Sequence, residues 1–441
     1  MTTRLFLQSP SEALDAPVIA TQMPEFERLG ERALLLARPG DVVGLAGEVD
    51  ARYLRFLEAL GIGPRGEDIV VIDGVRPGVG LSARLARDPN AMERVLRRLR
   101  GAEAVVVCPF FTTPDASAVG RAIGRRLRRP VRVEGGPSRL ARRLHHKAAA
   151  RALAESLGVP VAPGEVVRLA PRTGGAGPDV SALARAIDRW STSTGHVIVR
   201  GSSSASGSSL FTSRSLDRDA MIEAIAARTD NSDYLVEPLF EATASPNVEV
   251  VVEPGPSLPR VGVTEQVLDR GLVYTGSIHP SPATRARHMV EDARAIAAWM
   301  RGRRFTGRAG FDFVEHETGG RPQHFLTEIN PRINGASYPL ALLGRLAGLA
   351  LGRAAPVPAA FRTGYVKVRT SDFGELTALS GPLLYDPARG EGIVFYSPGA
   401  LRFGKVGLAV LGATREAAEN LRERFVERVG AHPAPIPARV S

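Results

Sequence analysis

Three side chains at alternate positions, Glu328, Asn330 and Arg332, give the stretch "HFLTEINPRINGASYPL" a carboxylate, a carboxamide and a guanidinium. Alternation along an extended strand turns all three to one face. An acid and an amide can hold a hard metal ion, and a fixed cation beside them can stabilise charge that develops during a reaction. The preceding strand "GRAGFDFVEH" and the turn segment "ETGGRPQ" predict a β-hairpin. A turn centred on Gly320 sets Asp312 across from Glu328, and Gly310 across from Asn330. Asp312, Glu328 and Asn330 then share one face, while Phe311, Phe313, Phe325 and Ile329 fill the other. Cross-strand side-chain roots lie about 5 Å apart, so two carboxylates there repel unless a proton or cation sits between them. Mg²⁺ suits that position because it takes oxygen ligands from one or two carboxylates and shares itself with substrate phosphates. Gly310 leaves room for a phosphate or a second ion, and two ions about 4 Å apart clamp the attacking and leaving oxygens of a displacement. The competing reading is a water-facing hairpin with exposed acids.

A second constellation is the loop in "VIVRGSSSASGSSLF", where residues 201–209 are Gly, Ser and one Ala between two short apolar strands. The loop turns one ribbon back on itself, which a linker between domains does not do. The small residues Gly201, Ser202, Ser203, Ser204 and Gly207 present backbone N–H groups and hydroxyls that can close over a polyphosphate. Arg200, at the end of the incoming strand, supplies a cation. Of the 57 basic residues only Lys147, Lys367 and Lys405 are lysines. In so arginine-rich a chain, a lysine marks a place where a compact ammonium serves better than a guanidinium, and Lys147 suits the same phosphates. The signature G-x-x-x-x-G-K-[ST] is absent. A partial dinucleotide fingerprint, Gly78-x-Gly80-x-x-Ala83, starts several residues after its strand and lacks the acid expected after the next one.

The elements that position these groups follow from periodicity. Residues 1–143 alternate strands and helices, as in "DVVGLAG", "EVDARYLRFLEALGIG" and "EAVVVCPF", which predicts an open α/β domain. One helix is predicted over "LARRLHHKAAARALAESLG", ending at Gly158 and Pro160. Residues 144–355 hold strands, the helix "VSALARAIDRWSTST", a strand-rich run and a second long helix, "RHMVEDARAIAAWMRG". Residues 356–441 form a smaller α/β unit ending in the helix "TREAAENLRERFVERVG".

With 441 residues, 44% hydrophobic and 23% charged, the chain is of ordinary globular composition. The formal charge of +11 concentrates in "GRRLRRPVRVEGGPSRLARRLHHK". No aromatic platform or zinc spacing is interleaved there, so nucleic acid is not the expected partner. No apolar run is long enough for a membrane span, and no signal segment opens the sequence, so a cytoplasmic location is expected. The only cysteine, Cys108, lies in an apolar run and is expected to be a buried, inert thiol.

The ordered signals "HHKAAARALAESLGVPVAP", "VIVRGSSSASGSS", "YLVEPL", "NVEV", "GFDF" and "TEINPR" together resemble the ATP-grasp superfamily across about residues 144–352. The resemblance implies that Lys147 and Arg200 contact the phosphates of ATP, although Arg200 stands where lysine is more usual. It implies an adenine hinge at the backbone of Glu237, Pro238 and Leu239, with Asn247 and Glu249 near the ribose. Asp312, Glu328 and Asn330 are similar to the family's Mg²⁺ ligands, and Arg332 to the arginine beside the reacting centre. The full layout is similar to the pheganomycin-type peptide ligases of actinobacteria. It implies an ATP-dependent ligase joining a carboxylic acid or amino-acid donor to a peptide or amine acceptor, with a homodimer as a candidate assembly. His279 and Tyr338 are candidates for lining the substrate pocket. A carboxylase acting on bicarbonate and a nucleotide-binding scaffold without catalysis are the alternatives.

Overall fold

The first layer is a sheet of five parallel strands, β1 (Thr2–Leu7), β2 (Val42–Leu45), β3 (Ile69–Val71), β4 (Ala104–Pro109) and β5 (Val131–Val133). They lie in the order β3-β2-β1-β4-β5, and the order reverses direction at β1. The sequence reading assigns no strand to residues 2–7, yet β1 is the central strand, with Leu5 and Leu7 fully buried. The computed structural model describes residues 2–13, 24–72, 78–169, 178–203, 209–228, 231–255, 257–270, 272–430 and 432–433.

A four-stranded antiparallel sheet follows, made of β6 (Glu165–Arg168), β7 (Val197–Gly201), β8 (Leu210–Thr212) and β9 (Asp233–Pro238) in the order β6-β9-β7-β8. The helices Ser181–Thr194 and Arg218–Ala226 cover it through Leu183, Ile187, Met221 and Ile225.

The remaining strands build one ten-stranded antiparallel sheet. They are β10 (Ala242–Ala244), β11 (Pro246–Val252), β12 (Arg260–Asp269), β13 (Val273–His279), β14 (Gly307–Thr318), β15 (Arg321–Asn330), β16 (Ala360–Lys367), β17 (Gly392–Tyr396), β18 (Lys405–Gly412) and β19 (His432–Pro433). The path is β10-β14-β11-β12-β13-β16-β18-β17, with β15 on β14 and β19 on β16. The hairpin that carries the acids therefore continues, strand by strand, into the C-terminal segment.

Under the hairpin, Phe311, Phe313, Leu326 and Ile329 pack with Val248, Met289, Ile296 and Phe305 against the helix Ala286–Arg301. A separate core joins distant parts of the chain: Phe6, Leu34 and Tyr53 pack with Tyr338, Phe361, Phe395 and Phe425.

Two local features differ from the sequence reading. The helix predicted over residues 140–157 is two helices, Ser138–His145 and Lys147–Ser156. His146 breaks it: its backbone is extended (φ −78°, ψ 113°) and its Nδ1 accepts the Ala149 N–H at 3.4 Å as an N-cap. The hairpin turn is two residues, Gly319 and Gly320, both with positive φ (58° and 74°), as a type I′ turn demands. That turn alone would shift the strands by one. A bulge at Thr327 restores the register, so Phe313 faces Leu326 while Asp312 still faces Glu328. Phe325, expected on the core face, is moved to the opposite one, where its ring packs on Phe240 and His316.

Candidate active site

The ladder aligns Asp312 with Glu328 and Gly310 with Asn330, as the sequence led us to expect. Asp312 receives two amide donors, Asn247 Nδ2 at 2.6 Å on Oδ1 and Asn330 Nδ2 at 2.8 Å on Oδ2. Asn247 reaches it because β11 pairs with the other edge of β14, Asn247 opposite Asp312. Burial pushes the Asp312 carboxyl up to about 7, and the neighbouring Glu328 charge adds to the rise. Burial also works against the charge on Glu328, but Lys147, His145, Arg332 and Arg200 outweigh it and hold that carboxyl below its ordinary value. The pair thus has one acid that ionises readily and one that resists, as expected of two carboxylates sharing a site.

Lys147, 7% exposed, is the first residue of its helix, and its Nζ lies 3.5 Å from Glu328 Oε1. Burial lowers its pKa, with Glu328 opposing the shift. The Lys147 N–H donates to Ser202 O at 2.9 Å, and the Ser202 N–H to Asp233 O at 2.8 Å, which ties the start of the Gly/Ser loop to the lysine. The Ser203 N–H is held by Asn231 Oδ1 at 2.6 Å. Gly201 ends β7, whereas Ser204 and Gly207 lie outside the described residues.

Arg200 is buried and donates twice to Glu237 Oε2, at 3.0 Å from Nε and 2.5 Å from Nη2. Its Nη1 takes the Thr327 carbonyl at 2.8 Å. Glu237 is shared, since Arg151 Nη1 reaches its Oε1 at 2.9 Å. These groups, with Ala150, Val161, Leu235 and Leu326, line a cavity beside Glu328. Pro238 ends β9, and the Leu239 N–H bonds to His196 O at 2.9 Å.

Other residues singled out in the sequence are engaged elsewhere. The Glu249 carboxylate is taken by Arg308 and by the Ser337 hydroxyl. The space beside Gly310, expected for a phosphate or second ion, holds the Asn334 amide, which bonds Asn247 Oδ1 at 3.4 Å. His279 stacks on Phe361 and places Nδ1 2.8 Å from Val263 O. Tyr338 donates to Gln8 Oε1 at 3.0 Å.

Arg332 lies over the Phe110 ring at 5.1 Å and donates Nη1 to Ile333 O at 3.1 Å, while its buried Nε has no partner among the described residues. His145, absent from the sequence reading, stands beside it. Its two ring nitrogens are buried without partners among the described residues, its ring packs on Phe111, and burial, then Arg332, lowers its pKa to about 4. Only the adjacency "HHK" could have flagged it. Arg151 and Asn334 gave no sequence signal at all.

Among the described residues no three His, Cys, Asp or Glu side chains gather as a self-contained metal centre. The donor set is instead two carboxylates and Asn330, whose buried Oδ1 has no partner among the described residues. Two acids, an unsatisfied carbonyl oxygen and a neighbouring lysine fit a Mg²⁺ ion whose other ligands come from a phosphate-bearing substrate.

The Pre ATP-grasp domain family matches residues 30–125, and the PGM1 C-terminal domain family matches residues 381–425. Among solved structures, the biotin carboxylase of Campylobacter jejuni bound to an ATP analogue is 15% identical at a TM-score of 0.54, over 98% of this chain and 92% of that one. The N5-carboxyaminoimidazole synthase of Aspergillus clavatus, with ADP and 5-aminoimidazole ribonucleotide, is 16% identical at 0.53, over 90% and 100%. The biotin carboxylase domain of the Hydrogenobacter thermophilus 2-oxoglutarate carboxylase, with MgADP and bicarbonate, is 14% identical at 0.53, over 96% and 89%. No curated protein sequence matches the chain. The architecture is the ATP-grasp fold, carrying a parallel N-terminal sheet and a C-terminal α/β segment.

Proposed function

We propose that the chain is an ATP- and Mg²⁺-dependent carboxylate–amine ligase that forms an amide through an acyl phosphate, joining a nonproteinogenic N-terminal amino acid to a peptide in natural-product biosynthesis. The observation that carries this reading is Asp312 opposed to Glu328, flanked by Asn330 and Lys147 and followed by Arg332. Asp312, Glu328 and Asn330 hold the Mg²⁺, which when bound neutralises phosphate charge.

Lys147 and Arg200 face the phosphates, Arg200 by exchanging its hold on Glu237, whose charge Arg151 continues to balance. Gly201 to Ser203, whose N–H groups are held by Ser209, Asp233 and Asn231, lie beside the phosphates, and Glu237 to Leu239 border the base. A donor carboxylate oxygen attacks the γ-phosphorus, the bond to the β-phosphate oxygen breaks, and ADP leaves. The amine then attacks the acyl carbon and phosphate departs with the amine's proton. Arg332 stabilises the oxyanion formed between those two bond changes. The flanking matches to the Pre ATP-grasp and PGM1 C-terminal domains support the three-part division at residues 1–143, 144–355 and 356–441.

A carboxylase is the second reading, favoured by the names of the solved structures that share the fold. ADP release measured with a panel of carboxylic acids and peptide acceptors tests the ligase, with mass spectrometry of the product. ADP release that needs bicarbonate, and no amide under any mixture, would overturn it in favour of the carboxylase.

A further inference from the structure

Arg32 ends the 3₁₀ helix Pro24–Arg32 and points into a cage built from every part of the chain. The Tyr338 ring lies under its guanidinium at 4.6 Å, and Tyr365, Tyr396, Tyr274 and Arg332 are among its charged or polar neighbours. Tyr365 and Tyr396 meet edge to face at 5.5 Å. Tyr274, 42% exposed, shares a hydrogen bond with Ser277 Oγ at 2.9 Å and sets its hydroxyl against Gly335, where any Cβ would collide. The Arg32 side chain makes one hydrogen bond among the described residues, from Nε to Leu29 O at 3.1 Å. Among the described residues no carboxylate pairs with it. The three acids just before it in sequence are taken: Glu31 by Arg28 and the Gly399 N–H, Glu27 by Arg84 and Ser11, and Glu25 by Lys405.

The tyrosines do not supply the missing charge. Burial pushes the phenols of Tyr338, Tyr365 and Tyr396 up, so all three are neutral at physiological pH. The Tyr365 hydroxyl is itself buried and lies beside Ser397 Oγ without hydrogen-bond geometry, so both oxygens lack a partner among the described residues. A guanidinium with its Nη1–Nη2 edge unused, a phenol hydroxyl and aromatic walls matches a carboxylate carried on an organic body, which it can take bidentately. Tyr338 has both Arg32 and Arg332 among its charged neighbours, and Arg332 has Arg32 among its own, so this cage adjoins the candidate active site.

We propose that Arg32, with Tyr274, Tyr338 and Tyr365, is the docking site for the free carboxylate of the amine-bearing substrate. The assignment to that substrate rests on the ligase reading above: the donor carboxylate belongs at Arg332 and the acid pair, leaving Arg32 for one that is not activated. The test uses the full chain, a panel of Ala-X dipeptides and the matching C-terminal amides, observed by saturation-transfer NMR without nucleotide. Free acids are expected to bind at least tenfold more tightly than their amides, and Arg32→Met to abolish the difference while Arg32→Lys keeps part of it. Should Arg32→Met fail to fold by circular dichroism, Tyr365→Phe removes only the unpartnered hydroxyl and is expected to weaken acid binding severalfold. Equal binding of acids and amides, absence of binding by any acid, or displacement of the acids by inorganic phosphate at equal concentration overturns the proposal. Failure of the ligase reading is seen separately: acids that bind through Arg32, and equally to Asp312→Ala, with no amide product under any mixture, leave the carboxylate site standing and remove its role in ligation.

Discussion

Asp312 and Glu328 differ in charge preference although they face each other, because only Glu328 has Lys147 within 3.5 Å. Each acid is therefore expected to matter, for different reasons. Asp312→Asn keeps the hydrogen bonding of Asn247 but removes the charge that binds a cation; Glu328→Gln strands a buried ammonium. Both substitutions are expected to lower Mg²⁺-dependent ADP release by about 100-fold or more, and Arg332→Lys to lower kcat by a similar factor with little change in KM for ATP, the size found when one oxyanion donor is lost. Near-normal turnover in both acid variants would remove the ligand assignment.

Glu12 offers a pH test outside that site. Its carboxylate accepts the N–H groups of Ser82, Phe110 and Phe111, yet burial dominates and raises its pKa from 4.5 to about 7. A carboxyl with a raised folded pKa contributes stability that is full below about 4.5 and is lost as pH rises through about 7. The ceiling is about 3 kcal/mol, reduced by the partial exposure of the side chain. Urea unfolding at pH 5 and pH 8 is expected to show a steeper loss in the native chain than in Glu12→Gln; identical slopes would mean that Glu12 does not titrate in this range.

At the scale of elements, the hairpin shows how a sequence can be read correctly at one end and wrongly in the middle. Apolar alternation and the Gly-Gly turn were enough to bring Asp312 opposite Glu328. The two-residue turn and the compensating bulge at Thr327 were not legible, because Leu326, Thr327 and Glu328 carry no glycine or other bulge marker. Spacing alone therefore places Phe325 in the core and leaves Leu326 out of it. The bulge also frees the Thr327 carbonyl that Arg200 uses, a contact invisible to spacing alone. The break at His146 was hidden likewise, since its residues are good helix formers on both sides and only the imidazole cap stops the first helix. His145 and Arg151 reach the site through that break and through the fold, so periodicity could not nominate them. Both turn glycines have positive φ, so Gly319→Val and Gly320→Val are each expected to destabilise the protein by about 1–3 kcal/mol. Gly319→Asn is expected to be tolerated, because Asn-Gly forms the same turn. Urea midpoints measure this; equal loss in the valine and asparagine variants would mean that φ at the turn is not what the glycines supply.

For the whole molecule, the decisive feature is that the site's supports come from separate stretches of chain held by one core. Phe6, Tyr53, Tyr338, Phe395 and Phe425 belong to a single buried cluster. Polar ties reinforce it: Tyr53 donates to Phe395 O at 3.0 Å, and Arg345, on the helix Ser337–Leu351, donates to Ala37 O at 2.6 Å and Leu36 O at 3.0 Å. Those carbonyls sit at the end of the short helix Ala33–Leu36, which runs on directly from Arg32, so Arg345 joins the helix that follows Arg332 to the segment that carries Arg32. Burial lowers the Arg345 pKa to about 10, which still leaves it charged at neutral pH. Arg345→Ala leaves two buried acceptors without donors and is expected to cost about 1–3 kcal/mol. It is expected also to loosen the seam between the N-terminal layer and the ten-stranded sheet. Because the core is shared, the N-terminal layer and the C-terminal strands are expected to melt together, in one calorimetric transition that Arg345→Ala shifts downward as a whole. Two resolved transitions in the native chain, or a shift confined to one of them in the variant, would show that these segments fold independently and that the cage and the acid hairpin are not mechanically coupled.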